Sequence, residues 1–230
     1  MTKARDTANL TGSGVTLPLL DIDAGTDIGA ALVDADLMIV DDGAGGTNRK
    51  ATMSRLATYM GTKIGGGMEF LASSGAISDA ATVVFNQFDA SKYDYYIFNI
   101  LAVVPVGDNT RLLMQLSADG TNYDTTSGNY HSEGGDQAGL LLSSTNVGGA
   151  SGDTLEGINV KGSLYNVSNS SKPTVLNSQG GYLNTSNNYV TWSSASNYEA
   201  STAAHTAVRF LFNALNIESG EITMFGIVNS

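Results

Sequence analysis

The stretch Ile158-Asn159-Val160-Lys161-Gly162-Ser163-Leu164 sets apolar side chains against polar or small ones with a period of two. That period sends successive side chains to opposite faces, so the stretch reads as a strand with one face in a core and one in solvent. The pattern recurs on both sides of it. Leu112, Met114 and Leu116 alternate with Arg111, Gln115 and Ser117, with Leu113 breaking the polar set. Val208, Phe210 and Phe212 alternate with Arg209 and Asn213, and Ile222 and Met224 with Glu221 and Thr223. Residues 95–104 are apolar on both faces, which predicts a central strand covered on both sides. Turn signals separate the runs at Val106-Gly107-Asp108-Asn109, Asp119-Gly120-Thr121-Asn122, Gly148-Gly149 and Gly180-Gly181. A helical reading fails, because no window here holds a 3.6-residue period beyond about two turns. About eight to ten short strands with such punctuation predict a mainly β domain over residues 68–230, an antiparallel β-sandwich of jelly-roll-like form.

Upstream the pattern changes. Gly65-Gly66-Gly67 reads as a flexible joint, since glycine lacks the Cβ that restricts the backbone. Residues 25–64 read as a small strand-loop-helix module. Leu37-Met38-Ile39-Val40 is a short apolar strand, and residues 42–48 are a loop by composition. Met53, Leu56, Ala57 and Met60 then fall on one face of a helix, with Thr52 as its expected N-cap. Some 40 residues make too small a core to stand alone, so the module is expected to pack on copies of itself or on a partner. Residues 1–24 show neither period and read as an extended arm. Its apolar residues Leu10, Val15, Leu17, Leu19 and Leu20 have no local partners and are the candidate attachment residues.

Composition narrows function. The 230 residues carry 11 Lys+Arg against 22 Asp+Glu, a net charge of -11, of which -9 falls in residues 65–230. Gripping a nucleic-acid backbone needs clustered cations, so no nucleic-acid partner is expected. Cysteine is absent and only His131 and His205 are present, which excludes thiol chemistry and leaves no multi-histidine metal site; no cofactor is expected. No run of about 18 apolar residues occurs, so no membrane insertion is expected. No apolar segment follows Met1-Thr2-Lys3-Ala4-Arg5-Asp6, so no secretory signal is read.

Motifs for chemistry are weak. Gly43-Ala44-Gly45-Gly46-Thr47-Asn48-Arg49-Lys50-Ala51-Thr52 has the look of a phosphate loop, but Ala51 separates the lysine from the hydroxyl that a magnesium ion would need. Asp119-Gly120-Thr121-Asn122-Tyr123-Asp124 offers oxygens to calcium, yet Asp-Gly favours a hairpin turn and the distal bidentate Glu is missing. No Gly-x-Ser-x-Gly elbow occurs, His131 lies in a glycine-flanked loop, and His205 opens an apparent strand. An acid pair for glycoside hydrolysis is made by folding rather than spacing, and nothing in the sequence favours one. Catalytic residues are therefore expected to be none, and the protein not an enzyme. Aromatics are the remaining candidates. Tyr123, Tyr130, Tyr182, Tyr189, Trp192 and Tyr198 fall in stretches rich in Ser, Asn, Gly and Thr, the mixture of flat rings and neutral hydrogen-bonding groups that suits sugar faces. All but Tyr182 are singled out as the candidate ligand-binding residues. Trp192 leads, with the alternative that it packs in the core beside Val190 on the same strand face.

The segment Asp34 to Leu56, with acids flanking a strand, a glycine loop and Arg49-Lys50-Ala51-Thr52 running into a helix, resembles a small module of tailed-bacteriophage structural proteins. Lys3-Ala4-Arg5-Asp6-Thr7-Ala8-Asn9-Leu10 is similar to a piece of phage fibre proteins, and Ser219-Gly220-Glu221-Ile222-Thr223-Met224-Phe225-Gly226-Ile227 to the last strand of phage appendage jelly rolls. Leu116 to Tyr123 resembles a recurring hairpin of that domain. The resemblance covers roughly a third of the chain and lacks the repetitive shaft of long fibres. It implies a virion appendage protein, a short tail fibre or receptor-binding protein. Such a protein would be a homotrimer, assembled in the host cytoplasm, joined to other virion proteins through residues 1–64 and meeting a host-surface glycan. A capsid-decorating or head-fibre protein is the alternative, and a polysaccharide depolymerase a further one.

Overall fold

A computed structural model describes residues 27–41, 48–63, 67–132, 135–144, 147–148, 156–200 and 203–228. The chain divides into two compact units, Met1–Lys63 and Ile64–Ser230. The candidate attachment residues Leu10, Val15, Leu17, Leu19 and Leu20 lie outside the described residues, as do most of the loop at 42–48 and Gly65 and Gly66 of the joint.

In the smaller unit, strand β1 (Leu37–Asp41) pairs antiparallel with β2 (Asn48–Thr52), and helix α1 (Met53–Lys63) follows at once. β2 carries no signal in the sequence, because Arg49-Lys50-Ala51 has no alternation of its own and only the partner strand makes it extended. Thr52 does not cap the helix with its hydroxyl. The Met53 and Ser54 amides donate instead to the carbonyls of Asp36 (2.9 Å) and Asp34 (3.3 Å), and the Thr52 and Ser54 hydroxyls bond each other at 2.8 Å. No described side chain of this unit is fully buried, and Leu37, Ile39, Tyr59 and Met60 are exposed.

The larger unit is a β-sandwich in which every strand pairing is antiparallel. Its strands are β3 (Met68–Ser73), β4 (Ile77–Ala80), β5 (Val83–Phe85), β6 (Tyr93–Pro105), β7 (Leu112–Ser117), β8 (Tyr130–Ser132), β9 (Leu140–Leu141), β10 (Ile158–Tyr165), β11 (Thr174–Leu183), β12 (Tyr189–Tyr198), β13 (Ala207–Phe212) and β14 (Ile217–Val228). The larger sheet runs β3-β14-β6-β10-β11-β12-β8, with β4 also on β14, and the smaller runs β5-β13-β7-β9. The sequence placed the alternating strands and undercounted the short ones, whose two or three residues are too few to show a period.

Between the sheets the inward residues of each strand close a single apolar layer. Phe98 of β6 meets Phe85 of β5 and Phe210 of β13 edge-to-face, with ring centroids 5.7 and 5.1 Å away. Such pairs add about 0.5–1.5 kcal/mol each beyond the area they bury.

Three expectations need correction. All six residues of β7 are buried, including the polar Gln115 and Ser117, whose side chains are held by other parts of the chain. The Gln115 side-chain NH2 donates to the Ala138 carbonyl and its oxygen accepts from Arg209 Nε at 2.7 Å, while the Ser117 hydroxyl donates to Asp119 at 3.0 Å. β6 is central in its sheet, but only one of its faces is fully covered, and Leu101 and Asn99 on the other reach solvent. Gly180-Gly181 is not a turn but the middle of β11. A Cβ on Gly180 would collide with the Asn159 carbonyl of β10, and one on Gly181 with the ring of Tyr189. The glycines are there for close approach, a second use of the residue that looks identical in sequence.

Candidate ligand-binding face

The five candidate aromatics separate into a closed cluster of three, Trp192 on the core side of β12 and Tyr189 on the open face. Tyr123, Tyr130 and Tyr198 come together at Asp124, where β8 and β12 meet the turn that follows β7. The Tyr198 hydroxyl donates to Asp124 Oδ2 at 2.8 Å, and the Tyr130 hydroxyl donates to the Asp124 carbonyl at 3.0 Å while accepting from the Leu116 amide. Their rings pack 4.9 Å apart, and His205 lies edge-on to Tyr198 at 5.1 Å. Tyr130 and Tyr198 are buried; Tyr123 is half-buried, its ring under the Arg209 guanidinium at 4.5 Å. A hollow of about 240 Å³ remains beside Tyr123, Asp124, Tyr198 and His205.

Electrostatics in this cluster hold the fold together. Burial alone would raise the Asp124 pKa, but hydrogen bonds from Thr126, Asn129 and Tyr198 outweigh it and hold the carboxyl below the usual range. Burial, more than anything else, pushes the Tyr130 phenol up and His205 down, the Val167 carbonyl and Asp124 opposing the latter. Asp119 is held far below its ordinary value, first by the Asn122 backbone amide, then by the Asn122 side chain and by Thr121. Its Oδ1 accepts from the backbone amides of Thr121 and Asn122 and from the Ser117 and Thr121 hydroxyls, and its Oδ2 from the Asn122 side chain, so this carboxylate closes the turn. His131 bonds Asp136 at 2.9 Å, with Glu199 at 3.7 Å.

Trp192 and Tyr189 stand on opposite faces of β12. Trp192 points to the core side and packs against the core, half-buried, and its indole N–H donates to Ser178 Oγ at 3.0 Å. Tyr189 lies over Gly181 on the outer face and is 68% exposed.

That outer face is where open polar chemistry gathers. Strand register aligns Thr223, Asn99, Lys161, Gln179 and Ser193 in one row across β14, β6, β10, β11 and β12. The next row holds Phe225, Ile97, Ser163, Asn177 and Ala195. Over β10, β11 and β12 the short Ser163, Ser193 and Ala195 leave a hollow of about 440 Å³ between Lys161, Asn177 and Gln179. A second hollow, of about 270 Å³, lies over β6 and β10 beside Asn99, Leu101 and Asn159 and shares Lys161 and Gln179 with the first. Neither is lined by a carboxylate. Among the described residues, none of the side chains of Asn99, Lys161, Ser163, Asn177, Gln179 and Ser193 bonds another protein group. The contrast with the Asp124 cluster is sharp: there the polar groups hold one another, and here they face outward.

Sequence reasoning missed the groove residues. Their signal was the outward half of the alternation in three neighbouring strands, and only the register shows that these halves adjoin. The β3-side of the same face is apolar, with Met68 59% and Phe70 60% exposed beside Phe225 and Ile227. Compared with protein-family models, curated proteins and solved structures, the chain matches none of them.

Proposed function

We propose that this chain is a non-enzymatic structural protein of a tailed-phage virion, a short tail fibre or receptor-binding protein. In this reading residues 1–64 attach it to other virion proteins, and the sandwich is displayed toward a glycan of the host surface. The groove across β10, β11 and β12 carries the glycan half of the proposal. The side chains of Lys161, Ser163, Asn177, Gln179 and Ser193 along it bond no other described protein group, and Tyr189 stands exposed farther along the same face of β12, over Gly181. A sugar offers many hydroxyls that each need a partner once water is removed, and unengaged amides supply them without first breaking internal bonds. The lining without carboxylates favours binding over hydrolysis, which needs a paired acid.

The attachment half draws on the resemblance of residues 34–56 to a phage module and on a small unit that buries none of its described side chains fully. A homotrimer is part of the reading. The exposed Met68 and Phe70 form an apolar area of the kind that a self-interface covers, and closed symmetry brings several grooves to one tip. Adsorption tests the whole. Purified protein should coat host cells and block infection by the parent phage, and the double variant Asn177→Ala/Gln179→Ala should lose both effects while melting normally. Normal blocking by the double variant would move recognition away from this face.

A further inference from the structure

We propose that the hollow over β6 and β10 is the subsite for an N-acetylated sugar, the acetamido group standing over Leu101. The inference rests on the reading that this face binds a glycan, and it names the chemical group that the glycan presents. Three observations meet at this spot. Leu101 is an apolar side chain 51% exposed on an otherwise polar stretch of the face, next to Asn99 and Asn159. The backbone here is bent on purpose: Ala102 has φ +47°, a left-handed conformation that a residue with a Cβ rarely adopts, and the register of β6 shifts against both neighbouring strands. Gly157 and Gly220 flank the bend, and a Cβ on either would press on the Ala102 backbone at 2.9 and 2.7 Å. Finally, Asn159 Oδ1 accepts the Ala102 amide at 3.0 Å, which fixes the side chain and leaves its NH2 as the free end.

A bulge that disrupts a ladder and strains one residue persists when the surroundings hold it, and such bends commonly re-aim a side chain. Here the side chain beside the bend is Leu101. An acetamido group matches what results: its methyl covers Leu101, its carbonyl accepts from the Asn159 NH2, and its N–H donates to Asn99. A plain hydroxyl in that position would leave Leu101 wet. The neighbouring hollow, sharing Lys161 and Gln179, takes the next sugar through hydroxyls alone. Four strands span about 14 Å at the usual interstrand spacing, room for about three linked rings.

The test uses the full chain and two trisaccharides with the same β-1,4 backbone, chitotriose with its acetamido groups and cellotriose without them. Calorimetric titration should give chitotriose the tighter binding by at least about fourfold, the yield of burying one methyl group. Saturation-transfer spectra should place the acetyl methyl in closest contact. Leu101→Ser, at an exposed position, should keep the melting temperature and abolish the preference, and Asn159→Asp, which keeps the oxygen that accepts the Ala102 amide and removes the NH2, should weaken it. A rhamnose trisaccharide, which has a methyl group but no amide, should bind more weakly than chitotriose. Equal binding of the two β-1,4 trimers, preference for cellotriose or rhamnose, or no binding of any while the protein still coats host cells overturns the subsite and leaves glycan recognition standing. Failure to coat cells at all would count against the receptor-binding reading itself.

Discussion

Two aromatic residues three positions apart on β12 stand on opposite faces of the strand, one on the core and one on the open face. Trp192 packs on the core side with its N–H on Ser178, so Trp192→Ala removes a large part-buried ring and leaves the Ser178 hydroxyl short of a partner. We expect a loss of about 3 kcal/mol, read as a drop in melting midpoint, with adsorption of the folded fraction unchanged. Tyr189→Ala should do the reverse, keeping the midpoint and weakening adsorption. A variant of Trp192 that melts normally and fails to adsorb would return recognition to the tryptophan. Protonation gives a second prediction. His205 is held below its ordinary value, chiefly by burial, so the unfolded chain takes up the proton first and stability falls as the pH drops below about 6.5. Asp119 and Asp124 are also held below their ordinary values, so what they contribute is complete above about pH 4 and is lost as the pH falls through their folded-state values. Urea midpoints from pH 8 to 3 should therefore fall in two stages, and His205→Gln should flatten the first alone. A single stage below pH 4 in the parent chain would show that His205 titrates alike in both states.

Elements show where a sequence speaks and where it is silent. β10 was legible because it buries one face and its alternation is clean along its length, and β13 because Val208, Phe210 and Phe212 all fall on the buried face. β2, β8 and β9 were not, since their extended form comes from a neighbour rather than from a pattern of their own. The candidate face was half legible. Asn159, Lys161 and Ser163 were visible as outward residues, yet their nearness to Asn177, Gln179 and Ser193 is a fact of register. The Gly180-Gly181 pair marks the sharpest limit, because a turn glycine and a contact glycine are the same letter. Substitution tells them apart. Gly180→Ala drives a Cβ into the Asn159 carbonyl and should cost about 3 kcal/mol or abolish folding, the upper range for overpacking. Gly181→Ala meets first the exposed Tyr189 ring, which can swing away, so the fold should survive with altered adsorption. Calorimetric melting of the two variants would separate the cases, and equal, small losses would return the pair to the status of an ordinary turn.

At the scale of the whole molecule, the sandwich has a core of its own, and the small unit buries none of its described side chains fully. Residues 67–230 alone should unfold in one cooperative transition by circular dichroism, and should not incorporate into virions when supplied in place of the full chain. Phe70→Asp in the full chain should reduce the mass seen by light scattering from trimer to monomer with little change in melting, because Phe70 is exposed on β3. A parent chain that scatters as a monomer would remove the self-interface from the proposal. The position of β14 has one more consequence, which concerns time. This strand follows all the others in chain order yet sits inside the larger sheet, between β3 and β6 and also against β4. A ribosome delivering the chain therefore releases β3, β4 and β6 long before the strand that joins them exists. Those strands wait with unpaired edges and their apolar sides uncovered, a state that invites neighbouring nascent chains to pair with one another. Closure by so distant a segment is slow in sequences of this topology. Copies emerging side by side on one messenger thus meet while still open, and the yield of correctly assembled protein should depend on how quickly the final segment is translated.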